Sequence, residues 1–192
     1  MGHLICAQEA HVQLALDVVV FVPVGRAPHR EIHADPGAEV RLTMCEHAVA
    51  GDARFGVSRI ELDRPGLSYT VDTLRELRSQ RPEDEFFFIM GGDQAMALPS
   101  WHEPREFLGL ATVAVVERAD HRREEIAETV RSICGDDRAV FFDMPRLDVS
   151  STLIRERAAA GLPIRYLVPD KVANYIGAQS LYSSSAPAGV GA

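Results

Sequence analysis

Asp148-Val149-Ser150-Ser151-Thr152-Leu153-Ile154-Arg155 is the stretch of this chain richest in chemistry. Three hydroxyl side chains stand in a row where a helix is due to begin, and a cation follows. The spacing predicts a helix over 152–160, with Gly161 suiting its stop and Pro163 barring continuation. The first N–H groups of a helix have no partner inside it and need oxygen. Self-capping would put Glu or Gln three residues after the capping hydroxyl, yet Ser151 is followed there by Ile154 and Thr152 by Arg155. An Arg in the first turn also opposes the helix dipole, at roughly 0.3–1 kcal/mol. Hydroxyls, free N–H groups and an unfavourably placed cation become consistent if a phosphate sits at the helix mouth. The alternative is an ordinary Ser/Thr-rich cap with a solvated Arg.

The elements that must position this mouth alternate between apolar runs and helical patterns. Residues 18–24 (VVVFVPV) read as a strand of the kind buried on both faces of a parallel sheet. Further strands are expected over 54–62, 85–90 (EFFFIM), 112–117 and 139–144. Helices are expected from the very start of the chain and over 39–50, 71–80, 123–133, 152–160 and 170–177. This alternation predicts an α/β fold with a doubly wound, mainly parallel sheet, Rossmann-like in its right-handed crossovers. Residues 1–182 read as one domain and 183–192 (SSSAPAGVGA) as a disordered tail. A doubly wound sheet usually opens with a strand and a phosphate-binding turn. Here Met1-Gly2-His3-Leu4 runs straight into a helix, so the first strand is expected to be missing.

Ligands of open α/β sheets sit beyond the carboxyl ends of the strands, and several unusual residues fall there. Val24-Gly25-Arg26-Ala27-Pro28-His29-Arg30 carries cations on a Pro/Gly turn; a solvated basic loop is the alternative. Gly91-Gly92-Asp93 follows EFFFIM. Its glycines would let a ligand approach the backbone and its Asp would accept from a ribose, or the segment is a tight turn with a capping Asp. Trp101 is the sole Trp, in a loop-like Leu98-Pro99-Ser100-Trp101-His102, and is either core or ligand platform. His3 opens the first helix, where its ring would meet a phosphate, or it has no role. Arg118 ends a strand, either at a ligand or at the surface.

The bulk properties narrow the ligand. The 192 residues are 46% hydrophobic with net charge −8 and pI about 5.3, enough apolar mass for a core and no basic stripe for a nucleic-acid backbone. A small anionic ligand fits better than a polymer. Cys6, Cys45 and Cys134 are odd in number and widely spaced, which argues against disulfides and a zinc site and suits a reducing cytoplasm. No apolar run has membrane-spanning length, and the start carries no signal pattern. No Gly-x-Ser-x-Gly, HExxH or GxxxxGK[ST] occurs, and His11, His29, His33 and His47 have no metal spacing, so no protein metal site is expected.

Taken together, these segments resemble bacterial nicotinate-nucleotide adenylyltransferase, of the nucleotidyltransferase α/β phosphodiesterase superfamily. The likeness spans most of residues 2–177. It is carried by Gly2-His3-Leu4, Pro23 through Arg30, Arg41-Leu42-Thr43-Met44 and Ser68-Tyr69-Thr70-Val71-Asp72-Thr73-Leu74. Gly91-Gly92-Asp93 with Leu98 and Trp101, Val149 through Arg155, and Tyr166-Leu167-Val168-Pro169 leading to Tyr175-Ile176 complete it. The shared order and spacing carry the match.

The resemblance implies that the phosphate of nicotinate mononucleotide attacks the α-phosphorus of ATP, giving deamido-NAD and diphosphate with Mg²⁺ assisting. It implies that His3 and Arg155 are catalytic. The ATP site would comprise His3, Arg30, Gly92, Asp93, Ser150, Ser151, Thr152 and Arg155. Trp101 would stack on the pyridine ring, with Thr70 and the His102 backbone N–H at the nicotinate carboxylate and Arg118 at the mononucleotide phosphate. The implied partners are ATP and the mononucleotide, with no nucleic acid or membrane; a homo-oligomer stays open. The chain departs from the family in having Arg30 for Lys, Pro104 for a second Trp, and Arg118-Ala119-Asp120 for RPG. It also lacks the opening GGTFDPxH with its central strand. We therefore expect the true start to lie upstream, and the chain as written to be poorly stable and nearly inactive. Two rivals remain: an adenylyltransferase for nicotinamide mononucleotide or phosphopantetheine, and a nucleotide-binding protein without catalysis.

Overall fold

Alternating apolar runs become short parallel strands with helices between them. The computed structural model describes residues 1–27, 35–117 and 120–183. Among these residues five strands are formed: β1 (Val19–Phe21), β2 (Phe55–Val57), β3 (Phe87–Gly91), β4 (Thr112–Val116) and β5 (Ala139–Phe142). The helices are α1 (Gly2–Gln13), α2 (Ala38–Val49), α3 (Ile60–Asp63), α4 (Thr70–Gln80), α5 (Gly92–Met96), α6 (Pro104–Leu110), α7 (Asp120–Cys134), α8 (Ser151–Ala159) and α9 (Asp170–Ala178), with a 3₁₀ turn at Leu98–Ser100. Every strand pair is parallel, as the near-continuous apolar runs predicted.

The period of two in a strand sorts side chains to opposite faces. Val113, Ala114 and Val115 of β4 are all 0% exposed, so this central strand is covered on both sides. Val113 and Val115 join Phe88 and Met90 of β3 in a core closed by Val71 and Leu74 of α4, Phe107 and Leu108 of α6, and Ile126 and Val130 of α7. Ala114 faces the other way, with Phe87 and Ile89 of β3, Phe142 of β5 and Ala10 of α1. Gln13 pins α1 there, accepting from the Asp143 N–H at 3.0 Å and donating to the Asp143 carbonyl at 2.7 Å. A third cluster joins Ile154 of α8 and Val172 and Ile176 of α9 to Met44 and Ala48 of α2.

The sheet is in two pieces, β1-β2 and β3-β4-β5. Four strand edges therefore pair with no strand among the described residues, where a continuous sheet would leave two.

All five strands are shorter than the sequence pattern, and two of them fall to three residues. The first, expected over 18–24, stops at Phe21, because Pro23 has no N–H to give a ladder. The Val24 and Gly25 carbonyls accept instead from Arg41 Nη2, at 2.6 and 3.2 Å. The second, expected over 54–62, ends at Val57. Ser58 Oγ accepts the Ile60 N–H at 3.3 Å, and a single helical turn, α3, takes over.

Candidate active site at the carboxyl ends of the strands

Parallel register brings the strand ends level: Gly91 of β3 pairs with Val116 of β4, and Val116 with Phe142 of β5. Gly92 and Asp93 leave the first of these ends and Glu117 the second. The segment to Ser150 and α8 leaves the third.

At the start of α8 the expected helix begins one residue early. Ser150 is the N-cap, its Oγ accepting the Leu153 N–H at 3.1 Å. Ser150 therefore satisfies one orphan donor and keeps its own hydroxyl proton to give. Arg155 folds back toward the mouth, its Nη2 donating to Thr152 Oγ1 at 3.2 Å. Ser150, Ser151 and Thr152 are all exposed, and the first turn carries no acidic residue. The mouth thus gathers three exposed hydroxyls beside the Arg155 guanidinium.

The first turn of α1, with an exposed His3, lies against the same layer. The Met1 ammonium donates to the Leu167 carbonyl at 3.3 Å, and Leu167 packs with Ile154 of α8. Tyr182 packs against the same layer. Burial pushes its phenol up, while the positive charges of Arg155 and Arg41 pull it down.

The turn after β1 is riveted from two sides. A Cβ on Gly25 would run into the Glu61 carbonyl and Ser68 Oγ, so only glycine fits. The Arg26 N–H donates to Ser68 Oγ at 3.1 Å, and the Ser68 N–H returns to the Arg26 carbonyl at 2.8 Å. Arg41 holds the preceding carbonyls and pairs with Asp35. Neither Ser68 nor Arg41 had a role in the sequence reading. Their partners lie 42 and 17 positions away, and spacing carries no signal at such distances. Arg30, expected at the end of this turn, lies outside the described residues.

At the end of β3 the two glycines differ: a Cβ on Gly91 would meet nothing within 4 Å, whereas Gly92 packs closely against the protein. A Cβ on Gly92 would meet the Glu117 carboxylate and lie 3.3 Å from Ile126 Cδ1. Asp93 follows in the first turn of α5, its side chain 87% exposed and paired with Arg122. Arg118 lies outside the described residues.

Trp101 packs on the core and keeps part of its ring open. Its ring meets Phe88 edge-on, with centroids 5.9 Å apart, and tilts against Phe107 at 5.4 Å, yet it remains only partly buried. His102 lies against Tyr69, with ring centroids 4.2 Å apart. Tyr69 is the N-cap of α4 and Thr70 its first residue. The structure thereby brings Thr70, Trp101 and His102 together from two segments about thirty residues apart.

Among the described residues no three His, Cys, Asp or Glu side chains gather where they would hold a metal. No helix there is long and apolar enough to cross a membrane.

Known proteins agree with this arrangement. The cytidylyltransferase-like family model matches residues 1–157. A protein from Tropheryma whipplei named probable nicotinate-nucleotide adenylyltransferase is 41% identical over 183 residues, covering 95% of this chain and 93% of its own. One of the same name from Herpetosiphon aurantiacus is 41% identical over 181 residues, covering 94% and 91%. Among solved structures, a nicotinic acid mononucleotide adenylyltransferase of Plasmodium falciparum complexed with NaAD shares the fold. Its TM-score is 0.71 at 15% identity, over 94% of this chain and 89% of that one. On the match to the family model and on identities near 40% over almost its whole length, this chain belongs to the cytidylyltransferase-like family, among the nicotinate-nucleotide adenylyltransferases.

Proposed function

We propose that the chain transfers the AMP moiety of ATP to nicotinate mononucleotide, giving deamido-NAD and diphosphate in NAD biosynthesis. The observation that carries this reading is the α8 mouth. Ser150 caps the helix, and Arg155 and the Thr152 hydroxyl sit together on its first turn, beyond the carboxyl end of β5.

The chemistry asks for what these residues have. A mononucleotide phosphate oxygen bonds to the α-phosphorus of ATP in line, the bond from that phosphorus to the bridging oxygen breaks, and diphosphate leaves with the electron pair. The nucleophile is already an anion, so no general base and no covalent enzyme intermediate is needed. Catalysis is then positioning and stabilisation of phosphate charge.

In this reading His3, Ser150, Ser151, Thr152 and Arg155 hold the ATP phosphates, joined by Arg30. Gly92 lets the adenosine approach the backbone, and Asp93 accepts from its ribose. Trp101 stacks on the pyridine ring, Thr70 and the His102 N–H take its carboxylate, and Arg118 takes the mononucleotide phosphate. Magnesium enters as the counter-ion of ATP, held by the oxygens of its phosphates. A cytoplasmic setting fits three free cysteines and ATP as substrate.

The test is diphosphate release from ATP with nicotinate mononucleotide and with its amide counterpart. Release with the acid form in preference is expected. Preference for the amide overturns the substrate assignment, and ATP binding without release by any mononucleotide overturns the enzyme.

A further inference from the structure

One guanidinium ties the loop carrying Trp101 and His102 to α4. Arg75 Nη2 donates to Glu103 Oε2 at 2.6 Å and Nη1 to Asp72 Oδ1 at 2.7 Å. Its Nε and Nη2 also grip both oxygens of Glu106 as a fork. Asp72, one turn before Arg75, sets the guanidinium; Glu103 and Glu106 come from the start of α6.

Glu103 is the sensitive partner. It caps α6 at φ 49° and ψ 55°, a left-handed conformation that a residue with a Cβ seldom adopts. It follows His102 directly, and its carboxylate lies 3.8 Å from His102 Nε2. On the other side the His102 ring rests on Tyr69. His102 is thus held between two groups fixed to α4, Tyr69 as its N-cap and Glu103 through Arg75. Among the described residues the His102 backbone N–H donates to no protein acceptor.

We propose that Arg75 is a positioning residue for the mononucleotide: by holding Glu103 it fixes the left-handed turn on which Trp101 and His102 stand beside Thr70, and so sets affinity for the pyridine nucleotide. This rests on the reading of Thr70, Trp101 and His102 given above. Single exposed ion pairs do little, but three carboxylates on one guanidinium, one of them gripped as a fork, hold a geometry.

Because Trp101 is the sole Trp, its fluorescence reports on this loop alone. Nicotinate mononucleotide is titrated into the full chain and into Arg75→Met, Arg75→Lys, Glu103→Gln and Glu106→Gln. The expected result is a Kd raised about three- to fivefold in Arg75→Met and Glu103→Gln. It rises less in Glu106→Gln, where Asp72 and Glu103 still hold the guanidinium, and is partly recovered in Arg75→Lys. KM for ATP stays level throughout, and iodide quenches Trp101 more readily in the two most weakened variants. All four changes are on partly exposed side chains, so the fold survives them. Unchanged Kd in Arg75→Met, against a clear response of the unaltered chain, overturns the proposal. Equal weakening in Glu106→Gln also overturns it, because Arg75 is then only a tie between helices. An unaltered chain whose Trp101 signal ignores the mononucleotide sinks the pocket reading, and this inference with it.

Discussion

Asp93, leaving β3, is paired with Arg122 of α7, whose Nε lies 3.4 Å from Glu117 Oε2 at the end of β4. The carboxylate expected to take a ribose is therefore already paired with a guanidinium, which it shares with Glu117. An exposed pair of this kind is worth about 0–1 kcal/mol, so a ribose diol can displace the guanidinium at small cost. Losing hydrogen bonds to a charged acceptor costs more, about 1.5–3 kcal/mol. Asp93→Ala is expected to raise KM for ATP roughly tenfold or more, while Arg122→Met shifts it by less than about fivefold. Steady-state kinetics at saturating mononucleotide checks both, and an unmoved KM in Asp93→Ala removes that residue from the ATP site.

Ser150 and Arg155 stand on one helix turn but do different work. Ser150→Ala removes the cap of the Leu153 N–H and should cost about 1 kcal/mol of stability. Among the described residues the Arg155 guanidinium hydrogen-bonds to the Thr152 hydroxyl alone, so Arg155→Ala should leave Tm nearly unchanged while lowering kcat about a hundredfold, as loss of one preorganised charge partner does. Thermal melts beside turnover numbers separate cap from catalyst. Full kcat in Arg155→Ala would remove it from catalysis.

How much of this was legible in the chain depends on the range of the interaction. The parallel strands, the covered core and the α8 mouth follow from local pattern: runs such as 112–117 are apolar throughout, and the hydroxyl cluster is contiguous. Helices α5 and α6 were not foreseen, since five and seven residues are too few for a 3.6-residue period to register. Pro104, at the first position of α6, was the available signal. The rivets from Ser68 and Arg41 and the Arg75 clamp join residues far apart in sequence; the motifs holding Ser68 and Arg41 were visible, but their partners were not.

The turn after β1 tolerates no side chain at Gly25. A methyl there points at the Glu61 backbone carbonyl, which cannot rotate away as a side chain would. Gly25→Ala should therefore destabilise by about 1–3 kcal/mol, the usual cost of overpacking. It should also loosen the hydrogen bonds between Arg26 and Ser68. Gly92→Ala meets the Glu117 and Ile126 side chains instead, so relaxation there is easier and the loss smaller. Denaturant midpoints compare the two; a Gly25→Ala chain as stable as its parent shows that the close approach to Glu61 is not maintained in solution.

The Arg75 clamp has a pH signature. The Arg75 guanidinium, hydrogen-bonded to Glu106, holds that carboxyl below the ordinary value of 4.5. Below its ordinary range the unfolded chain binds the proton more readily than the folded one, so stability rises with pH across that interval. The contribution is complete above the unfolded value and is lost as pH falls through the lower folded one. Glu106→Gln removes the charge at every pH. The Tm difference between the parent and Glu106→Gln should therefore be constant from about pH 7 down to pH 5 and close progressively below about pH 4.5. Melts across that range, with Arg75→Met as a second reference lacking the cation, provide the measurement. A Tm difference that persists undiminished to about pH 2 would mean that the Glu106 charge contributes nothing and that only its packing matters.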